Sequence, residues 1–171
     1  MFPVILFFLL VSEGIALDLL PATLTSSDYL IVPHWVLVFL ILINLFYDSD
    51  ETYFSIVYGV FFGLLIDVVY TSILGAYMFV YPFTLYIVHL LKRFLQTNFV
   101  MTIIILSISI LITELFIYMI YSLVDLIEIT IVSFLLHRFV PTLLANMIFL
   151  IPIYLFTVKF LKKWHIEHIA K

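Results

Sequence analysis

Three acids stand inside long apolar runs of this chain: Glu13, Asp67 and Glu114. A carboxylate in such a run costs about 2.5 to 3.5 kcal/mol on membrane-insertion scales, so it belongs beside a cavity, a counter-charge or a hydrogen-bond donor. Glu114 is the deepest, seven residues before Tyr121, which is about 10 Å at 1.5 Å per residue. Asn146 sits at a similar depth on the last apolar segment and is placed to hydrogen-bond it, while Arg138 lies nearer the surface. With Glu13 these form an expected intramembrane polar cluster of Glu13, Glu114, Arg138 and Asn146. Two uses fit it: side chains satisfying one another to fix helix register, or a path for protons or ions. A path calls for helices broken at mid-membrane, and Pro82 and Pro152 are the interior breakers, though both also suit ordinary kinks.

Other reactive patterns lead nowhere further. His165-Ile166-Glu167-His168 has the look of a metal pair, but it lies in a polar tail, so no metal is expected. Asp48-Ser49-Asp50-Glu51 lacks the glycine and the length of a calcium loop and reads as a solvated turn. His34, His89 and His137 fall near segment ends, where a half-polar ring is comfortable, and none has an evident catalytic partner. There is no Gly-x-Ser-x-Gly elbow, no His-Glu-x-x-His helix and no glycine-rich phosphate loop. Zero cysteines exclude disulfides and thiol chemistry. Neither an enzyme nor a cofactor is expected. A net charge of -4 without a basic tract also argues against nucleic acid as a partner.

The most informative spacing is that of Ser55, Gly59, Gly63 and Asp67, which recur every four residues. On a helix they make one narrow ridge, flat enough for a neighbouring helix to approach backbone to backbone. That ridge serves either helix packing within the chain or the docking of a partner; spacing alone does not separate the two. Asp67 lies about one turn from the end of its segment, where water or a buried partner can satisfy it.

The elements that hold these residues follow from composition. Hydrophobic residues make up 66% of the chain and charged ones 11%, too little polar surface to cover a water-soluble globule. The apolar residues come in runs rather than stripes, with no sustained alternation, which points to membrane-spanning helices and away from a barrel. The fold class is therefore an all-α polytopic membrane protein of about six transmembrane helices, over residues 2–20, 33–47, 53–70, 76–91, 100–121 and 139–160, in a single domain 1–171. The N-terminal segment has no basic n-region and carries Glu13 and Asp18, so it reads as a span and not a cleaved signal. Residues 21–29 make the first loop. Ser122 to His137 is apolar but has polar residues over half of a helical wheel, and an interfacial helix fits it best. Lys92, Arg93, Lys159, Lys162, Lys163 and Lys171 fall on one side and Arg138 on the other, so the positive-inside rule puts both termini in the cytoplasm of a multi-pass membrane protein.

The segment Gly59 to Gly75, a small-residue helix ending in Gly-x-x-x-Asp and followed by Leu-Gly, resembles the signature region of the MreD family. Ser12-Glu13 in the first span, Glu114 in the fifth and the run from His137 to Asn146, with its Arg-Phe-x-Pro-Thr element, agree, and the likeness covers nearly the whole chain. The resemblance implies a six-span bundle similar to the substrate-binding S-components of energy-coupling-factor transporters. It implies a non-enzymatic scaffold in the bacterial cytoplasmic membrane. The expected partners are MreC and, through it, MreB, RodA and the elongation transpeptidase, with lipid around the bundle. Lateral peptidoglycan synthesis is thereby organised to maintain rod shape. The alternative is a small-molecule-binding, S-component-like subunit of a transporter.

Overall fold

The computed structural model describes residues 1–19, 30–95, 97–126 and 130–169. They form α1 (Phe2–Leu19), α2 (Trp35–Phe46), α3 (Phe54–Tyr70), α4 (Ala76–Lys92), α5 (Phe99–Leu123), α6 (Ile131–Phe134) and α7 (Val140–Ile169), with a π-helical turn (Leu135–Phe139) joining the last two without a break. Two rods, Phe99–Leu123 and the composite Ile131–Glu167, are long and apolar enough to cross a membrane. The outward faces are oily: Val4, Phe7 and Phe8 on α1, Phe61 and Val68 on α3, and Leu155 and Phe156 on α7 are all exposed. Hydrocarbon, not water, is the solvent that suits such a surface.

α2 is the hub. Every residue from Val36 to Phe46 is buried, because α1, α3, α4, α5 and α7 all pack on it. The expected span 33–47 is in fact shorter: its 12 helical residues extend about 18 Å, against a hydrocarbon core of about 30 Å. Residues 30–34 are not helical. A helix walled in by protein need not reach across the hydrocarbon, provided other side chains take up the polar backbone at its ends.

Aromatic packing gathers one end of the bundle. Phe2 meets Tyr47 at 4.7 Å and Trp164 at 5.5 Å between ring centroids, which brings the start of α1, the end of α2 and the end of α7 together. The tail expected after residue 160 is helical to Ile169; Trp164 gives that stretch an apolar anchor, and Lys163 and Glu167 pair across one turn at 3.8 Å.

The ridge on α3 is spent inside the chain. α3 and α4 pack more extensively than any other pair, and a Cβ on Gly63 would lie 2.5 Å from the Tyr77 carbonyl oxygen and 2.8 Å from Met78 Cα. On Gly59 it would meet the end of the Leu85 side chain at 2.7 Å, with the Pro82 backbone at 3.5 Å. Ser55, Gly59, Gly63 and Asp67 are all buried, so this ridge offers no face to a partner. Gly63→Ala is expected to cost about 2 to 3 kcal/mol, since backbone must move backbone. Gly59→Ala should cost less than half as much, since a leucine rotamer can yield. Equilibrium unfolding in detergent checks the order; equal losses would contradict this packing.

Ser122 to His137 does not form the single surface helix expected of it. α5 continues to Leu123, Asp125 turns with a left-handed φ of 55°, and helix resumes at Ile131 behind Thr130, whose hydroxyl accepts from the Ser133 amide at 3.4 Å. The wheel assumed one continuous helix, whereas the left-handed residue and the threonine cap divide the segment between two rods. Residues 127–129, with Glu128, and the loop 21–29 lie outside the described residues.

Candidate functional site: two polar clusters at the ends of the buried helix

The lead-in to α2 runs beside α7 and the π-helical turn before it, and is hydrogen-bonded to them at every second residue, Leu30, Val32 and His34. Pro141 has no amide hydrogen, so the carbonyl of His137, four residues back, is left without its helical donor. The Leu30 amide donates to it at 2.9 Å. One turn on, the Val32 amide donates to the Thr142 hydroxyl at 3.1 Å and the Val32 carbonyl accepts from Asn146 Nδ2 at 3.0 Å. The His34 amide then donates to Asn146 Oδ1 at 2.8 Å. The expected bond between Asn146 and Glu114 is therefore absent: both ends of the Asn146 amide are committed to backbone, which a non-helical segment inside a helical bundle needs more.

His34 takes the place beside Glu114 that Asn146 was expected to fill. Its Nε2 lies 2.8 Å from Glu114 Oε1, its Nδ1 lies 3.0 Å from the Tyr81 hydroxyl, and Arg138 Nε donates to Glu114 Oε2 at 2.6 Å. With the carboxylate accepting from both sides, Nε2 carries a hydrogen, while Nδ1 bonds the phenol. The result is a continuous line from Tyr81 through His34 and Glu114 to Arg138, nearly all of it sealed from solvent. A carboxylate, a histidine and a hydroxyl in that order parallel a nucleophilic triad, but here the hydroxyl is a buried phenol and the carboxylate is shared with a guanidinium. The geometry instead ties together α4, α5, the residue before α2 and the π-helical turn ahead of α7.

Glu13, the remaining member of the expected cluster, is buried on the other flank. Its Oε1 accepts from the Val36 amide at 2.7 Å, capping the first turn of α2. It makes no bond to Glu114, Arg138 or Asn146 among the described residues, yet it shares a cavity of about 240 Å³ with His34, Tyr77, Tyr81 and Arg138. Sequence reasoning thus found Glu13, Glu114 and Arg138 but missed His34 and Tyr81. The available signal was Pro33-His34 directly before an apolar run, where an unpaired helix end needs polar company.

Asp67 is a cap of unusual reach. Its Oδ2 accepts from the amides of Gly75 at 3.0 Å and Met78 at 2.9 Å, and its Oδ1 accepts from Tyr77 at 2.9 Å. Gly75 supplies the turn with a φ of 100°, a conformation that side chains resist. Gly63 and Asp67 therefore act on the same turn of α4, one by letting its backbone approach and the other by accepting its amides.

At the far end of α2 the partners are Lys92 and Asp48. Lys92 Nζ donates to the carbonyls of Asn44 and Asp48 at 3.0 Å each, and to that of Ser49 at 3.3 Å. Asp48 Oδ2 accepts from the Ser55 amide at 3.0 Å and from its hydroxyl, which in turn accepts from Asn44 Nδ2 at 2.9 Å. So Asp48 caps α3 and is no solvated turn residue, its exposure being 5%. His165 Nδ1 donates to the Tyr47 carbonyl at 2.6 Å, which commits one member of the apparent metal pair; the His168 side chain lies outside the described residues.

Burial pushes the Asp48 carboxyl above its ordinary value, against the opposing pull of the Ser55 hydrogen bonds and Lys92. A carboxyl raised in the folded state binds its proton more tightly there than when unfolded, so its contribution is fully present below the unfolded value and lost as pH rises through the folded one. Relative to Asp48→Asn, the unaltered chain is expected to lose stability as pH rises above about 4. Unfolding titrations of both at several pH values check this; parallel curves would contradict it.

The comparisons with known proteins agree with one another. A family model described as rod shape-determining protein MreD matches residues 1–164. The rod shape-determining protein MreD of Bacillus subtilis (strain 168) is 29% identical over 165 residues, which cover 94% of each chain. No solved structure matches. The matched stretch contains Glu13, His34, Asp67, Glu114, Arg138 and Asn146, so the buried polar residues and the helices that carry them all fall within one family's pattern: the chain belongs to the MreD family of rod shape-determining proteins.

Proposed function

We propose that this chain is a non-enzymatic scaffold of the cell-wall elongation complex, a single domain over residues 1–171 crossing the bacterial cytoplasmic membrane six times. Its two-ended design supports six crossings: successive rods alternate in direction, and the short α2 is completed at both ends by side chains of its neighbours. Lys92, Arg93, Lys162 and Lys163 would face the cytoplasm together with both termini, as the positive-inside rule requires. An architecture like that of energy-coupling-factor S-components accommodates this arrangement. The partner in the membrane is MreC, and through it MreB, RodA and the elongation transpeptidase, so that lateral peptidoglycan synthesis keeps the cell a rod. The observation that carries the reading is membership of a shape-determining family along 1–164, joined to ionisable side chains that are occupied with holding helices.

The covered ridge Ser55-Gly59-Gly63-Asp67 leaves the outward apolar faces as the surface for that partner. Affinity capture of the full chain from native membranes should bring down a single-span partner of the MreC type, and depletion should round the cells. Rod-shaped growth without the chain would overturn the reading. Reporter fusions that place the C-terminus outside the cytoplasm would overturn the orientation alone.

A further inference from the structure

The cavity beside the N-terminal end of α2 is lined by side chains of opposite charge, Glu13 and Arg138. Its volume of about 240 Å³ holds on the order of eight waters at their liquid share of about 30 Å³, the size of a lipid headgroup or a small metabolite. On one wall stands Glu13, 4% exposed, whose carboxylate caps α2 at the Val36 and Trp35 amides. On another stands Arg138, whose Nε is given to Glu114 while its terminal nitrogens are unpaired among the described residues. Tyr77 also lines the cavity, and its hydroxyl has no hydrogen bond among the described residues.

We propose that this cavity binds a small zwitterion, a primary ammonium joined to a phosphate or carboxylate, with the ammonium at Glu13 and the anion at the Arg138 fork and the Tyr77 hydroxyl. A guanidinium fork matches the paired oxygens of an oxyanion, and an ammonium supplies a counter-charge to a buried carboxylate. A simple anion would face the Glu13 carboxylate with no ammonium between them. A simple cation would leave the Arg138 fork empty and face that charge instead. Tyr70 and Tyr121, near the ends of α3 and α5, also line the cavity, so its mouth opens at helix ends, where a headgroup would enter. This inference goes beyond the scaffold reading and stands on the cavity alone.

The test uses the full chain in nanodiscs of phosphatidylglycerol, titrated with O-phosphoethanolamine by calorimetry. Binding is expected, with phosphocholine, which lacks ammonium hydrogens, at least tenfold weaker. Glu13→Gln keeps an acceptor for the Val36 amide and should weaken binding tenfold or more. Tyr77→Phe removes a hydroxyl with no partner in the described fold, and should weaken it several-fold with unfolding unchanged. Should Glu13→Gln not fold, the Tyr77 variant and the phosphocholine comparison decide. A second arm replaces the disc lipid with phosphatidylethanolamine and looks for lipid retained in native mass spectra. Retention assigns the ligand to a lipid headgroup, and binding of the soluble compound alone assigns it to a free metabolite; either result supports the site. No binding in either arm, or equal binding of phosphocholine, would overturn it.

Discussion

Glu114→Ala is expected to destabilise the folded chain by about 3 to 5 kcal/mol, the range for breaking a buried ion pair from one side. The loss is large because the carboxylate serves two donors at once. Arg138 Nε, at 2.6 Å, and His34 Nε2, at 2.8 Å, would both be left inside the bundle without an acceptor. Glu114→Gln should fall between the two, since an amide can accept from one neighbour but turns an N–H toward the other. Removing Arg138 as well should cost less than the sum of the single losses, with a coupling of about 1 to 3 kcal/mol. Unfolding of the single and double variants, followed by tryptophan fluorescence in detergent, measures all of these. Additive losses would mean that the two residues do not share one network.

The second large effect is expected at Asp67. An ordinary N-cap removed to alanine costs about 0.5 to 2 kcal/mol, but this carboxylate accepts three backbone amides, those of Gly75, Tyr77 and Met78. A buried donor left unpaired costs about 1 to 3 kcal/mol, so Asp67→Ala should lose about 3 kcal/mol or more even if water reaches one of the three. Asp67→Asn should retain the two amides that share one oxygen and lose the third, giving about half the effect. The turn between α3 and α4 should also open first, read as faster amide exchange at Gly75, Tyr77 and Met78. Exchange there unchanged from the parent chain would show that the cap does not hold the turn.

Both effects bear on how a member of this family stays folded with so few charges. In hydrocarbon the apolar side chains do not drive helices together, so close backbone packing and polar contacts must do so. Gly63 against Tyr77 and Met78 supplies the first kind of contact. The line from Tyr81 to Arg138 supplies the second, and loss of either would lower the amount of folded protein.

The sequence by itself determined that the chain is helical and apolar, where most helices start and stop, and which acids are out of place in oily surroundings. Those properties are local: run length, composition and the periodicity of small residues are visible along the chain. The resemblance to the MreD family rested on the same local signals, and the family match confirms it. Tertiary structure alone decided who partners whom. His34 looked like a comfortable interfacial ring, and only the fold brings Glu114, 80 positions away, within 2.8 Å of it. Asn146 was assigned to Glu114 on depth, but depth does not register the unsatisfied backbone of residues 30–34, which claims the Asn146 amide instead. The ridge of Ser55, Gly59, Gly63 and Asp67 was plain in the spacing, while its burial against α4 depended on Gly75 turning the chain back onto it. The physical reason is common to all three: a polar group in a dry interior goes to whichever unmet donor or acceptor the packing brings nearest, and that neighbour is set by how the helices assemble.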